Sequence, residues 1–210
     1  MNSGFLAALF SVACAAANLG WAAEPGLSYG LLIDNSVGAR ARINDMIAAG
    51  YSAVDSHKPG DEAFIVRYVG PDNVSVMQAV TQDKGALTGA LDDAYIEAGA
   101  PPLIDALYLA VGELDARADN KKPRRKALLV LSSGDAGSSY YKIDDLMKLI
   151  GGRKLPVFFI VFASAGNKTA PSLGAVAAKT GGKVFVAKNM AEHQAAVDGF
   201  FASVRRSPAK

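Results

Sequence analysis

A carboxylate and a hydroxyl stand two residues apart in Asp34-Asn35-Ser36-Val37-Gly38, directly after the apolar run Leu31-Leu32-Ile33. One chemistry that uses an aspartate with a polar group two residues on is Mg-dependent phosphoryl transfer or hydrolysis on a nucleophilic aspartate, which needs an acid to protonate the leaving group. Ser36 cannot serve as that acid. The two histidines, His57 and His193, fall at a helix-to-turn junction and in the last helix, and read as surface residues. A Ser-His-Asp arrangement therefore has no member beside Asp34, and no catalytic residue is expected.

The elements around this loop say where it sits. A short continuous apolar run suits a strand buried on both faces. Ile43, Met46, Ile47, Gly50, Tyr51 and Val54 follow it at helical spacing, the stripe of a helix packing back on a sheet. Asp34 and Ser36 thus lie beyond the carboxyl end of a central strand, where open α/β sheets keep their ligand sites. The plainer role for Asp34 is to cap the following helix.

Residues 63–69 read as a second strand and 74–80 as a third. The turn Gly70-Pro71-Asp72-Asn73 between them is too short for a parallel crossover, so the third strand runs antiparallel. A helix over 87–95 precedes a better one marked by Leu103, Leu107, Val111 and Leu114 and opened by Pro101 and Pro102, because proline's missing N–H does no harm in a first turn. Strands at 127–131, 157–162 and 184–186 alternate with helices at 143–150, 172–179 and around Val197, Phe200, Phe201 and Val204. Gly151-Gly152 closes the first of these helices. The alternation predicts a doubly wound α/β fold, Rossmann-like, with a mostly parallel six-stranded sheet, one antiparallel edge strand and helices on both faces.

Of 210 residues, half are hydrophobic, and 22 lysines and arginines face 20 aspartates and glutamates. That suffices for one domain with a real core, and no overall charge draws it to nucleic acid. No Gly-rich phosphate cradle occurs. The basic run 121–126 is interrupted by Pro123 and lacks aromatics for base stacking. Residues 1–23 carry no charge and an apolar run closed by Gly20-Trp21-Ala22-Ala23, too short for a membrane span and read as a signal peptide. No Lys or Arg precedes that run, as a signal normally requires. The expectation is a secreted or periplasmic single domain over 24–206, a basic tail at 207–210, and no transmembrane span in the mature chain. Ser11-Val12-Ala13-Cys14 resembles a lipoprotein acylation box, with Ser11 where a larger apolar residue is preferred. A plain cleaved signal is expected, with a lipid anchor at Cys14 as its alternative.

From about Leu27 to Val204 the chain resembles a von Willebrand factor type A domain, the hairpin after the second strand included. The resemblance implies a metal-ion-dependent adhesion site built from three loops: Asp-x-Ser-x-Ser after the first strand, a Thr before the long third helix, and an Asp-Gly pair after the fourth strand. Asp34 and Ser36 fall on ligand positions. Gly38 replaces the second serine, Pro101 the threonine and Ser133 the last aspartate, with Asp135 two residues beyond. Few oxygens remain for a cation that dehydrates reluctantly, so the metal site reads as weak or vestigial and no tightly bound cofactor is expected.

The resemblance thus implies a non-enzymatic, protein-binding module of adhesion or assembly type, its partner another protein. The expected contact surface is the loop rim: Asn35, Pro101, Pro102, Ser133, Asp135 and Tyr140. Tyr140 and Tyr141 follow the third loop directly, where aromatics supply contact area, or else pack under the next helix. The alternative function is the Mg-dependent phosphotransferase or hydrolase using Asp34.

Overall fold

The computed structural model describes residues 25–116, 123–162 and 169–207. The expected signal peptide with Cys14, part of the basic run and the end of the tail lie outside them.

Strand β1, Leu27–Asp34, is buried along its whole length because it is flanked on both sides. It pairs in parallel with β2, Glu62–Gly70, and with β4, Arg125–Ser132, so that Leu31 sits between Ile65 and Leu129. The sheet order is β3-β2-β1-β4-β5-β6, with β3 at Asn73–Thr81, β5 at Val157–Phe162 and β6 at Val184–Ala187. Five strands are parallel. The sixth, β3, folds back antiparallel on β2, as the four-residue turn requires.

Alternation along β1 divides the core. Tyr29, Leu31 and Ile33 face a layer holding α1 (Ile43–Asp55), α2 (Lys84–Asp92) and α6 (Met190–Arg205). Leu32 and, from β4, Leu128 and Val130 face α3 (Leu103–Ala116), α4 (Ile143–Ile150) and α5 (Pro171–Thr180). Each such Leu or Val removed from water contributes roughly 1.5–3 kcal/mol. A strand feeding both layers therefore cannot slip by one residue without exchanging its two apolar sets.

Two local differences from the sequence reading have clear causes. The second helix begins at Lys84, three residues before the expected start, because the Asp83 carboxylate accepts the N–H groups of Gly85 and Ala86 and caps it. It ends at Asp92, which leaves Tyr95 in the following loop rather than on the helix. Gly151, at φ 58°, and Gly152, at φ 71°, end α4 as read. Among the described residues no helix is long and apolar enough to cross a membrane.

Candidate functional site: three loops at the carboxyl edge

The loop after β1 is held by the carboxylate that ends the strand. Asp34 Oδ1 accepts the Ser36 N–H at 3.0 Å, a tight local turn. A short 3-10 turn, Val37–Ala39, follows, and α1 starts only at Ile43. Asp34 therefore does not cap α1, which corrects the plainer role read from sequence. Its second oxygen reaches across the sheet instead: Oδ2 accepts the Ser133 N–H at 3.1 Å and the Ser133 hydroxyl at 2.6 Å. Asp34 is fully buried, and three donors on one carboxylate compensate the loss of water.

Asn35 ties this loop to the segment between α2 and α3. Its N–H donates to Tyr68 O, its O accepts from the Glu97 N–H, and its Nδ2 donates to Tyr95 O at 2.7 Å. Asn35 Oδ1 and Ser36 Oγ are buried without a partner. A Cβ built on Gly38 would lie 3.5 Å from Ser133 Oγ and 3.7 Å from Ser36 Oγ, so position 38 faces the same cluster.

The second and third loops are joined backbone to backbone. Leu103 N–H donates to Pro101 O and to Ala136 O, and Ile104 N–H to Ser139 Oγ. Gly137 has φ +50°, and a Cβ there would meet Pro101 O at 2.5 Å, so only glycine allows this approach. The Asp105 carboxylate accepts the N–H groups of Tyr140 and Tyr141, both at 2.9 Å. Asp105 is the organising residue that sequence reasoning missed; its one signal was an acid in the first turn of α3. Asp135 does not turn toward Asp34. Its Oδ1 accepts from Ala136 and Gly137 within its own loop.

Burial sorts the expected contact residues. Asn35, Pro101, Pro102 and Ser133 are buried and support the rim from beneath, whereas Asp135 and Tyr140 are exposed. The tyrosine pair divides in the same way. Tyr141 stacks on Tyr108 of α3, 3.8 Å between centroids and 4° between planes, while Tyr140 stands perpendicular to it and is 86% exposed. These three rings, with Asp145, Lys148 and Leu149, line a groove of about 470 Å³. On the far side of the rim the Arg67 guanidinium lies over the Tyr95 ring and pairs with Glu97 at 2.6 Å.

The histidines are not surface residues, contrary to expectation. His193 is 2% exposed and packs edge-on to Phe162. His57 is part-buried at the amino end of the sheet, its Nε2 2.9 Å from the hydroxyl of the fully buried Tyr29. Burial lowers both imidazole pKa values from the ordinary 6.5, against the opposing charge of Asp61 at His57 and of Asp45 at His193. Neither ring hydrogen-bonds to the Asp34 loop among the described contacts. The described residues hold no group of three or more His, Cys, Asp or Glu arranged for a metal ion.

No family sequence model matches this chain, and no curated protein matches it in sequence. Solved structures match in fold. The conserved hypothetical protein BatB from Bacteroides thetaiotaomicron shares 12% identity over 87% of this chain and 100% of its own, with a TM-score of 0.70. A von Willebrand factor type A structure from Catenulispora acidiphila shares 18% over 86% of this chain and 43% of its own, with a TM-score of 0.65. The vWF domain of the type V pili tip protein Mfa5 from Porphyromonas gingivalis shares 10% over 90% and 99%, also at 0.65. At these identities the likeness is one of fold.

Proposed function

We propose that this chain, whose fold is that of von Willebrand factor type A domains, is a non-enzymatic protein-binding module of adhesion or assembly type. On this reading it grips its partner with the loops at the carboxyl ends of its strands, without a tightly bound metal ion. The observation that carries the reading is where apolar surface is left uncovered. Among the described residues the exposed large hydrophobics are Val37, Tyr95, Tyr140, Val186 and Met190. Val37, Tyr95, Tyr140 and Met190 lie outside the strands at the carboxyl edge of the sheet, whereas Val186 lies within the outermost strand, β6. Apolar and aromatic side chains gathered on one rim mark a contact surface for another protein.

The donor set supports the metal-free part. A hard divalent cation seeks about six oxygens. Both Asp34 oxygens are occupied by N–H and O–H donors, Asp135 is turned into its own loop, and Pro101 brings no side-chain oxygen. Ser36 Oγ is the one unpartnered hydroxyl of the set. The same burial counts against the Mg-dependent phosphotransferase or hydrolase, since a nucleophilic carboxylate must be free and reachable. A pilus tip protein among the structures of like fold is in keeping with an adhesive or assembly role. Export of the domain goes with this reading, from the uncharged apolar segment 1–23.

Capture from the organism's own extract, using the protein and its Tyr140→Ala and Tyr95→Ala variants with and without chelator, tests the proposal. The expected result is a retained partner, at least tenfold weakened by either substitution and unaffected by chelator. Retention that both substitutions leave unchanged, or esterase or phosphatase turnover that Asp34→Asn abolishes, overturns it.

A further inference from the structure

We propose that the Ser133 hydroxyl stands in for the family's cation: it ties the loop after β1 to the loop after β4 by donating to Asp34. The inference rests on the metal-free reading above and assigns the residue responsible for it. Position 133 is where the family resemblance places an aspartate. A carboxylate there would face Asp34 across a buried volume, and two buried carboxylates side by side need a cation between them or a proton on one of them. A serine reverses the sign of the contact. Its Oγ donates at 2.6 Å and its N–H at 3.1 Å to the same Asp34 oxygen, while Ser36 N–H holds the other at 3.0 Å. The buried charge is thereby satisfied by the chain alone.

Position 38 fits the same exchange. A side chain at Gly38 would reach the cluster, within 3.5 Å of Ser133 Oγ and 3.7 Å of Ser36 Oγ, yet glycine supplies no oxygen there. Gly38 and Ser133 are thus two departures from the ligand pattern that meet at one point in space, although 95 positions separate them in the chain. The loops are cross-linked permanently, with no ion to gain or lose.

Thermal melts of the protein and of Ser133→Ala, Ser133→Asn and Ser133→Asp, each in chelator and in millimolar Mg²⁺ or Mn²⁺, test the assignment. The wild type melts alike in both. Ser133→Ala, which keeps the N–H but loses the hydroxyl, melts lower by about 3 °C or more and ignores metal. Ser133→Asp melts lower still in chelator and regains about 3 °C or more with metal, whereas uncharged Ser133→Asn gains nothing. Ser133→Ala melting with a metal-indifferent wild type overturns the latch and leaves the metal-free reading standing. A wild type stabilised by metal overturns both. A folded Ser133→Asp that ignores metal overturns the exchange of serine for cation. Should Ser133→Asp not fold, the double variant Asp34→Asn/Ser133→Ala decides: losses that couple support the latch, and losses that simply add overturn it.

Discussion

Arg205, the last residue of α6, donates through Nη2 to Asp61 Oδ2 at 2.6 Å, at the end of the sheet opposite the three loops. The same carboxylate accepts the N–H groups of Leu27 and Lys58, each at 2.9 Å. One buried acid thus fastens the start of β1, the turn before β2 and the closing helix. The amino edge is consumed in holding the fold together, which leaves the carboxyl edge for contact.

Burial alone would raise the Asp61 pKa, but the Arg205 hydrogen bond, the two backbone donors and the Arg205 charge outweigh it and hold the carboxyl below its ordinary 3.8. With the folded value below the unfolded one, this stabilisation is complete above about pH 4 and is lost as pH falls through the folded value. Asp61→Ala should cost about 2–4 kcal/mol near neutrality, since it strips the half-buried Arg205 of its carboxylate, leaving it Ser56 O, and frees the N–H groups of Leu27 and Lys58. It should also flatten the acid limb of a melting-temperature profile taken from pH 5 to 2. A variant with wild-type stability at pH 7 would contradict this.

The two histidines act at higher pH with the same sign. Their folded pKa values lie below the unfolded one, so the folded state binds fewer protons. Stability is then full above about pH 6.5 and declines as pH drops toward the folded values. The melting temperature should fall between pH 7.5 and 5. His57→Gln, whose amide offers an acceptor to Tyr29, should shrink that fall, and an unchanged slope would show that His57 is not its source.

Tyr140 and Tyr141 should separate stability from binding. Tyr141→Ala removes the stack on Tyr108 and should cost at least about 1 kcal/mol in urea unfolding. Tyr140→Ala, at a site 86% exposed, should stay within about 0.5 kcal/mol of the wild type while weakening partner capture. The reverse pattern would mean that the two rings had been assigned the wrong way round.

Arg67 positions the far rim. It pairs with Glu97, reaches Asn73 and Ser75, and covers Tyr95. Arg67→Lys keeps the charge but loses the planar fork that makes these contacts together. Amide exchange at Glu97, whose N–H donates to Asn35 O, should quicken severalfold, and the global melt should change little. Unaltered exchange would exclude Arg67 from holding this loop.

The layered fold was legible in the sequence because its determinants are local. Continuous apolar runs such as 157–162 make buried strands, helical stripes such as that of Ile143, Leu146, Met147 and Ile150 make helices, and a four-residue turn forces a hairpin. The positions of the three loops follow from those elements. The site inside the loops was not legible, because it depends on where side chains from distant segments converge. Asp34 was visible as an acid after a strand, but its partner Ser133 is 99 positions away. Only the parallel pairing of β1 with β4 brings them together.

The same holds for Asp105, which reads as a helix-start acid until two tyrosine N–H groups 35 and 36 residues on are seen to need it. It holds too for His57, whose turn-like surroundings in sequence hide its place against Tyr29. Composition and spacing determined which residues lie at the carboxyl edge. The tertiary structure decided which of them face solvent and which spend their polar groups on one another, because hydrogen bonds and burial are set by direction and distance in space.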